Sequence, residues 1–175
     1  MAKKYVTGLE EVVKNLNDRI KEIQGEPTLK GLVRGARIIL EDMEKTSPVI
    51  PVDTGNLRNS VFTVTSQGKV EVGQDPKFVD KYYDESSGEK KYIKVSVAEL
   101  SERHKAVLAF YGSAVAKLKK PAVVLGFSAY YAWFVHEMVG VNFKRPGAGA
   151  KFLETAIKHN TDKIIKVIQE EVKFK

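Results

Sequence analysis

The spacing of apolar residues changes along this 175-residue chain, and the change restricts the folds that the chain can adopt. Helical spacing occupies the N-terminal part, where a capping box at Thr7 opens one helix that stops near Gly25. Pro27 suits the first turn of a second helix, which must end before Pro48. Helical spacing returns from about Ala150 to Val172. These patterns predict two N-terminal helices and a long C-terminal helix.

Strand signals fill the region between the helices. Ser60 to Ser66 contains the strand-forming run Val61 to Thr65, and Gln67-Gly68 separates it from Lys69 to Val72, which alternates cleanly. This arrangement predicts a β-hairpin. The unbroken apolar run from Ala122 to Phe127 is typical of a central strand that is buried on both faces. Ser128 then suits the cap of a short helix. The sequence therefore predicts an α+β fold in which the C-terminal helix packs on a small, mainly antiparallel sheet.

Two glycines of the second predicted helix, Gly31 and Gly35, lie four residues apart. Without side chains there, another helix could approach this helix closely. The alternative is a helix of low intrinsic propensity that packing elsewhere stabilises, since each glycine costs about 1 kcal/mol relative to alanine. The sequence leaves both interpretations open.

A long segment, from residue 74 to residue 120, interrupts this arrangement. Asp84 to Lys91 is polar and glycine-containing, which predicts a solvated loop tip. Strand-like spacing at Tyr92 to Val95 and helical spacing from Val97 to Leu118 follow it, and no single conformation is predicted. We expect one domain over residues 1–175, with 74–120 as an insertion or flexible loop region.

The composition excludes several chemistries. The chain has no cysteine, which removes disulfides, thiolate zinc sites and cysteine nucleophiles. Its 29 Lys and Arg against 22 Asp and Glu give a net charge of +7, which favours acidic partners without naming one. No stretch approaches about 18 uninterrupted apolar residues, so we expect a protein that stays in the cytosol and does not contact a membrane.

The triplet Asp53-Thr54-Gly55 matches the Asp-Thr-Gly of aspartic proteases, in which two carboxylates share a proton and activate water. Those enzymes place the triplet directly after a buried strand, whereas Pro48 and Pro51 precede it here. The alternative is a tight turn that Asp53 and Thr54 cap and whose backbone requires Gly55. The sequence favours the turn.

The pair His136-Glu137 raises the question of a metal site. Adjacent side chains on a helix diverge by roughly 100° and lack the i, i+4 spacing at which two ligands meet one ion. His104 and His159 lie far away in sequence and have no supporting carboxylate pattern. The pattern therefore favours a partly buried His-Glu pair, near the sheet or at a subunit contact, and no metal.

Aromatic residues concentrate between Phe127 and Phe134. The cluster consists of Phe127, Tyr130, Tyr131, Trp133 and Phe134. Such rings could stack on nucleic-acid bases, as in single-strand binders. More often a cluster of this kind belongs to the core or to a protein interface, which we favour here.

Three segments carry a resemblance to a known family: Pro51 to Ser60 (PVDTGNLRNS), Tyr131 to Glu137 (YAWFVHE) and Arg145 to Glu154 (RPGAGAKFLE). In this order and spacing they closely resemble the tail-completion or neck protein family of long-tailed bacteriophages, whose members are head-tail joining or minor structural proteins. The resemblance takes in the two N-terminal helices and the final helix. It leaves out residues 74–120, which look like an insertion.

The resemblance implies a ring-forming virion protein at the junction of the head's connector and the tail, used in completing the tail or joining it to the head. It implies contacts with further copies of the chain and with connector or adaptor, tail-terminator and tail-tube proteins, together with non-specific contact with passing DNA. It places the protein in the neck or tail of the virion, and in the host cytoplasm during assembly. It implies no catalytic residue, cofactor or metal, so we expect a protein that is not an enzyme.

Arg58 and Arg145 could anchor a subunit contact, because guanidinium groups bind carboxylates in a fixed fork. The alternative is that both satisfy nearby carbonyl groups within the chain. The interface candidates are Asp53, Thr54, Gly55, Leu57, Arg58, Trp133, His136, Glu137, Arg145, Pro146 and Phe152. Two other functions remain open: a nucleic-acid binder that uses a basic face, and an aspartic protease that uses the Asp53 triplet.

Overall fold

The computed structural model describes residues 13–15, 18, 25–46, 48–84 and 91–173. The elements are α1 (Glu26–Lys45), α2 (Asn56–Asn59), β1 (Val61–Thr65), β2 (Val70–Val72), β3 (Lys81–Asp84), β4 (Lys91–Val95), α3 (Val97–Ala116), β5 (Val123–Phe127), α4 (Ala132–Glu137) and α5 (Phe152–Val172). Residues 13–15 and 18 are helical. The rest of the predicted first helix, with its Thr7 cap, and most of the predicted loop tip at 84–91 lie outside the described residues.

The sheet is antiparallel and has the strand order β2-β1-β5. The predicted hairpin is confirmed as β1 and β2, and the α+β class is confirmed. The prediction that 122–127 forms the central strand is wrong. Within the described residues β5 pairs only with β1 and is half-buried, whereas β1 lies between the other two strands and is buried along its whole length.

The long C-terminal helix packs along α1 and against the sheet. An alanine Cβ at Gly31 would lie 2.8 Å from the Cα of Ile168, and one at Gly35 would lie 2.9 Å from the Cγ2 of Ile164. Of the two interpretations of this glycine pair, close helix approach is therefore confirmed. At the start of α5, the Phe152 ring is buried and stands edge-on to Phe127 with 5.5 Å between ring centroids.

The segment 74–120 contributes regular structure to the domain. It contains the antiparallel pair β3 and β4 and the helix α3, which Ser96 caps by accepting the Glu99 N–H at 3.1 Å. The strand-like and helical spacings predicted there are confirmed. Helix α3 packs on β1, and its Leu100 and His104 are each only 1% exposed. This segment thus supplies part of the core.

The predicted cap of the short helix is wrong. Helix α4 begins at Ala132 with Tyr131 at its N-cap position, and no side chain caps it. The Ser128 hydroxyl is buried and lies 2.6 Å from Nδ1 of His104. A hydrogen bond to a helix distant in sequence therefore replaces the local cap.

The main core joins residues from most elements. Its buried members are Met43, Ile50, Leu57, Val61, Phe78, Val95, Leu100, Ala129, Ala132, Phe152 and Ala156. Within the part of the chain that the structure describes, no helix is both long and apolar enough to cross a membrane.

Candidate functional site

The Asp53 turn and helix α4 enclose a cavity of about 600 Å³. Its apolar wall includes Leu57, Tyr131, Phe134 and Met138, and its rim carries the charged groups of Asp53, Lys81 and Lys144. The cavity is therefore lined by residues of two of the three segments that resemble the neck family, Pro51 to Ser60 and Tyr131 to Glu137, although these segments are far apart in sequence.

The Asp53 turn owes its shape to Gly55. This residue has φ 89° and ψ −10°, the left-handed conformation that favours glycine, and it forms the N-cap of α2. The Thr54 hydroxyl accepts the N–H of Asn56 at 3.4 Å. The turn interpretation is therefore confirmed for Thr54 and Gly55. Asp53, which we expected to cap the turn, instead binds two lysine side chains.

The carboxylate of Asp53 lies between two ammonium groups. Lys81 donates to Oδ2, and Lys144 donates to Oδ1 at 2.9 Å. These hydrogen bonds, from Lys81 first and Lys144 second, hold the pKa of Asp53 below its ordinary value. A protease dyad needs a second carboxylate that raises one of the two pKa values, and no carboxylate of the described residues acts on Asp53 in this way.

A buried asparagine attaches the start of the 74–120 segment to α2. Asn56 is 1% exposed; its Nδ2 donates to the Val79 carbonyl at 2.7 Å, and its Oδ1 accepts the Val79 N–H at 2.9 Å. Asn59 adds a hydrogen bond from its side chain to the Lys77 carbonyl. The sequence offered no signal for this role, because the partner lies 23 residues away.

In the segment from Arg145 to Glu154, Arg145 binds a glutamate of α1, Glu44, and a nearby carbonyl group. Arg145 donates to the Glu44 carbonyl at 2.8 Å, to the Glu44 carboxylate at 3.3 Å and to the Ile50 carbonyl at 3.1 Å. Arg58 donates to the same carboxylate at 2.7 Å. Of the two roles weighed for Arg145, the one within the chain is therefore observed. Glu44, which unites two family-like segments, was not singled out from the sequence.

His136 and Glu137 form a pair that also receives Lys151. Nδ1 of His136 lies 2.8 Å from Oε1 of Glu137, and the Lys151 side chain donates to Oε2. Lys151 first and His136 second lower the pKa of Glu137, and Glu137 raises the pKa of Lys151. Across the described ranges, no three His, Asp or Glu side chains converge as metal ligands would.

The aromatic cluster divides between interior and surface. Phe127 and Tyr131 are half-buried, and burial raises the pKa of Tyr131 to about 12. Trp133 and Phe134 are 69% and 63% exposed, and Val139, just after α4, is 74% exposed.

The remaining candidates fall into two groups. Leu57 and Phe152 are 6% and 1% exposed and belong to the core, and Leu57 also lines the cavity. Pro146 is exposed, in the segment where Val49 and Ala148 form a parallel β-bridge. Comparison with protein-family models, curated proteins and solved structures finds no match for this chain.

Proposed function

We propose that this chain is a structural virion protein of a tailed bacteriophage, which forms a ring at the head-tail interface and serves in tail completion or head-tail joining. The resemblance of its three segments to the neck protein family supports the proposal. The arrangement of these segments in the fold also supports it. Arg58 and Arg145, from two of the segments, both bind Glu44, which lies 101 positions from Arg145, and residues of two segments line the cavity beside Asp53.

The observation that carries the proposal is an exposed apolar surface on and after α4. We call it the α4 patch; it consists of Trp133, Phe134, Met138, Val139 and Val141, each at least 46% exposed. Large apolar side chains that are exposed together on one short segment are a feature of interaction sites. Tryptophan is among the residues that contribute most to protein–protein binding, so Trp133 is the first residue to test.

A closed ring requires two different surfaces on each subunit, because each copy meets its neighbours head to tail. Helix α3 and the turn after it carry further exposed apolar residues, which we call the α3 patch: Ala106, Ala109, Phe110, Ala114 and Leu118. Phe110 is 67% exposed. In our proposal the α4 patch of one copy contacts the α3 patch of the next, or one of the two contacts a neighbouring neck or tail protein.

We assign no catalytic residue. The side chains of the Asp53 turn, the His136-Glu137 pair and the Arg145 segment form hydrogen bonds and ion pairs within the chain, which suits a role in shaping the subunit. Connector or adaptor, tail-terminator and tail-tube proteins are the proposed partners.

Size measurement and negative-stain microscopy of the purified protein, alone and mixed with connector and tail components, test the proposal. We expect rings for the wild type. We expect Trp133→Ser to stay monomeric with an unchanged melting temperature. Ile165→Ser is the matched control, since Ile165 is also exposed (49%) but lies on α5. The proposal fails if no mixture yields rings, or if Trp133→Ser assembles as well as the control.

A further inference from the structure

The cavity beside the Asp53 turn is built partly by residues that the family resemblance does not cover. Lys81 and Val95 come from the segment 74–120, and Lys144 lies between the second and third segments of the resemblance. Both lysines of the rim are therefore outside the segments that resemble the neck family. The ligand preference of the cavity is thus a property of this chain.

The rim of the cavity carries an excess of positive charge. Asp53 is the only carboxylate among the lining residues that the structure describes, and it accepts hydrogen bonds from both Lys81 and Lys144. One carboxylate cannot neutralise two ammonium groups. The Lys144 side chain is 84% exposed, so its ammonium group also remains accessible to a ligand. A negatively charged group therefore complements this rim.

Apolar side chains form most of the wall of the cavity. They are Leu57, Val95, Phe134, Val135 and Met138. Tyr131 adds a hydroxyl group; burial first, and then Tyr130 and Asp53, raise its pKa to about 12, so the group stays protonated and can donate a hydrogen bond. Apolar walls, a few polar groups and a volume of about 600 Å³ are typical of sites that bind small ligands or enclose a side chain.

The cavity is continuous with the α4 patch. Phe134 and Met138 belong to both, and they are 63% and 46% exposed. One apolar surface therefore extends from the patch into the cavity. A protein that covers the α4 patch meets this apolar cavity and the lysines of its rim together.

The charge of the rim also indicates which kind of protein this is. The α3 patch of a second copy offers an aromatic ring, Phe110, but Glu102, the nearest carboxylate of its helix, is about two helical turns away. No Asp or Glu follows Phe110 until Glu137. The α3 patch thus lacks a carboxylate beside its ring, and a different protein suits the cavity better.

We propose that the cavity binds an apolar side chain with a carboxylate beside it, on a segment of another neck or tail protein that covers the α4 patch. The apolar side chain enters the cavity, and the carboxylate binds Lys144 and Lys81 at the rim. This inference rests on the proposed function only for the identity of the partner, because a single subunit contains the complete cavity.

The first measurement is an NMR titration of the full chain with phenylbutyrate, which joins a phenyl ring to a carboxylate, and with phenylbutanamide, its neutral analogue. We expect phenylbutyrate to bind with a Kd on the order of 1 mM, as its small size allows, and to shift the amide signals of the Asp53 turn and α4. The neutral analogue should bind about 2- to 5-fold more weakly, which is the effect of a partly exposed ion pair. Equal binding of the two compounds would overturn the role of the rim lysines.

Two substitutions test the two parts of the site. Lys144→Gln should reduce the preference for the carboxylate to below about 2-fold, because it removes the excess charge of the rim. Phe134→Ser should weaken both compounds with an unchanged melting temperature, since Phe134 lines the cavity but is largely exposed. Lys158→Gln is the matched control for charge, because Lys158 also pairs with a carboxylate, that of Glu154, away from the cavity. Equal effects of Lys144→Gln and Lys158→Gln would contradict the proposed site.

A peptide distinguishes a protein segment from a free small carboxylate. We expect acetyl-SDFLDS-amide to bind about ten-fold more tightly than phenylbutyrate, and its analogue acetyl-SNFLNS-amide to bind more weakly. Trp133→Ser should weaken the peptide and not phenylbutyrate, because Trp133 belongs to the α4 patch and does not line the cavity. If the peptide binds no more tightly than phenylbutyrate, a protein segment is not the ligand.

The same proteins also separate this inference from the proposed ring. Rings that form from a chain that binds none of the probes would overturn the inference and leave the proposed function intact. Probe binding by a chain that forms no rings would do the reverse. Dissociation of rings by the peptide would assign the cavity to a second copy of the chain, against the proposal.

Discussion

Replacing Gly31 with alanine should destabilise the protein, although alanine is the better helix former. The propensity difference favours alanine by about 1 kcal/mol. The new Cβ, however, would lie 2.8 Å from the Cα of Ile168, a backbone atom that cannot move without separating α1 from α5. Overpacking of this kind costs about 1–3 kcal/mol, and contact with backbone places Gly31 near the upper end. We expect a net loss of about 1–2 kcal/mol.

Gly112 provides the matched control because it is also a helical glycine. An alanine Cβ there would have only Val64 Cγ1 within 4 Å, at an ordinary distance of 3.8 Å. Gly112→Ala should therefore raise the free energy of unfolding by about 1 kcal/mol, because alanine has the higher helix propensity. The two variants should differ by about 2–3 kcal/mol, which corresponds to a separation of urea midpoints on the order of 1 M. A Gly31→Ala protein as stable as Gly112→Ala would refute the close approach of the two helices.

A double-mutant cycle sharpens the test at Gly35. Its alanine Cβ would meet a side-chain atom, Ile164 Cγ2, at 2.9 Å. Ile164→Ala removes that atom, so Gly35→Ala should cost less in the Ile164→Ala background than in the wild type. The corresponding cycle of Gly31 with Ile168→Ala should show a smaller coupling, because the Ile168 Cα remains. Equal coupling in the two cycles would contradict this account.

Three further substitutions follow from the site. Asn56→Ala leaves the Val79 N–H and carbonyl without their partner, which should cost about 2–4 kcal/mol in urea unfolding, and an unchanged midpoint would contradict the role of Asn56. Arg145→Ala should lower the free energy of unfolding by about 2 kcal/mol. Arg145→Lys should recover less than half of this loss, because an ammonium group cannot reproduce the forked hydrogen bonds of the guanidinium group to Glu44. Full recovery by lysine would argue against these forked hydrogen bonds. Because the pKa of Asp53 is depressed in the fold, its ion pairs add stability above its ordinary pKa of about 4 and lose it as the pH falls. The free energy of unfolding of the wild type should exceed that of Asp53→Asn by less than about 1 kcal/mol at pH 7, because the ion pairs are exposed, and the difference should vanish in acid. If the wild type cleaved peptides at acidic pH and Asp53→Asn did not, that result would instead favour the protease.

Local patterns were sufficient to predict most helices and strands. Spacing predicted α1, the β1–β2 hairpin and α5, because the apolar residues of each element follow a helical or strand period in the sequence. The start of α5 was two residues off, since Lys151 adopts φ 59° and lies outside the helix. A left-handed lysine carries no signal in the sequence, where glycine would be expected.

The order of the sheet could not be predicted in this way. Thr63 and Thr65 alternate with Phe62 and Val64, a pattern typical of a strand with one solvent-exposed face, yet both threonines are 1% exposed. The Thr63 hydroxyl is buried and has no hydrogen-bond partner in the described part of the chain. Helix α3 packs on β1, and the sequence of the strand contains no signal for this packing. The apolar run of β5 was misleading for the converse reason, as β5 lies at the edge of the described sheet.

The chemistry of the site depends on partners that are distant in sequence. The Gly55 turn was predictable because its cause lies within three residues. The hydrogen bonds of Asn56 to Val79 and of Arg145 to Glu44 join residues 23 and 101 positions apart. Only packing brings such groups together, so a pattern in one segment cannot identify its partner in the other.

The contact between α1 and α5 also has a kinetic consequence. Arg34 pairs with Glu171 across that contact at 2.5 Å, and 137 residues separate the two positions. At about 5–20 residues per second, a ribosome needs on the order of ten seconds to synthesise the intervening chain. During that interval the glycine face of α1 has no partner helix to cover it. Folding of this protein should therefore be slow relative to its secondary structure formation, and nascent chains that stop before α5 should aggregate or bind chaperones.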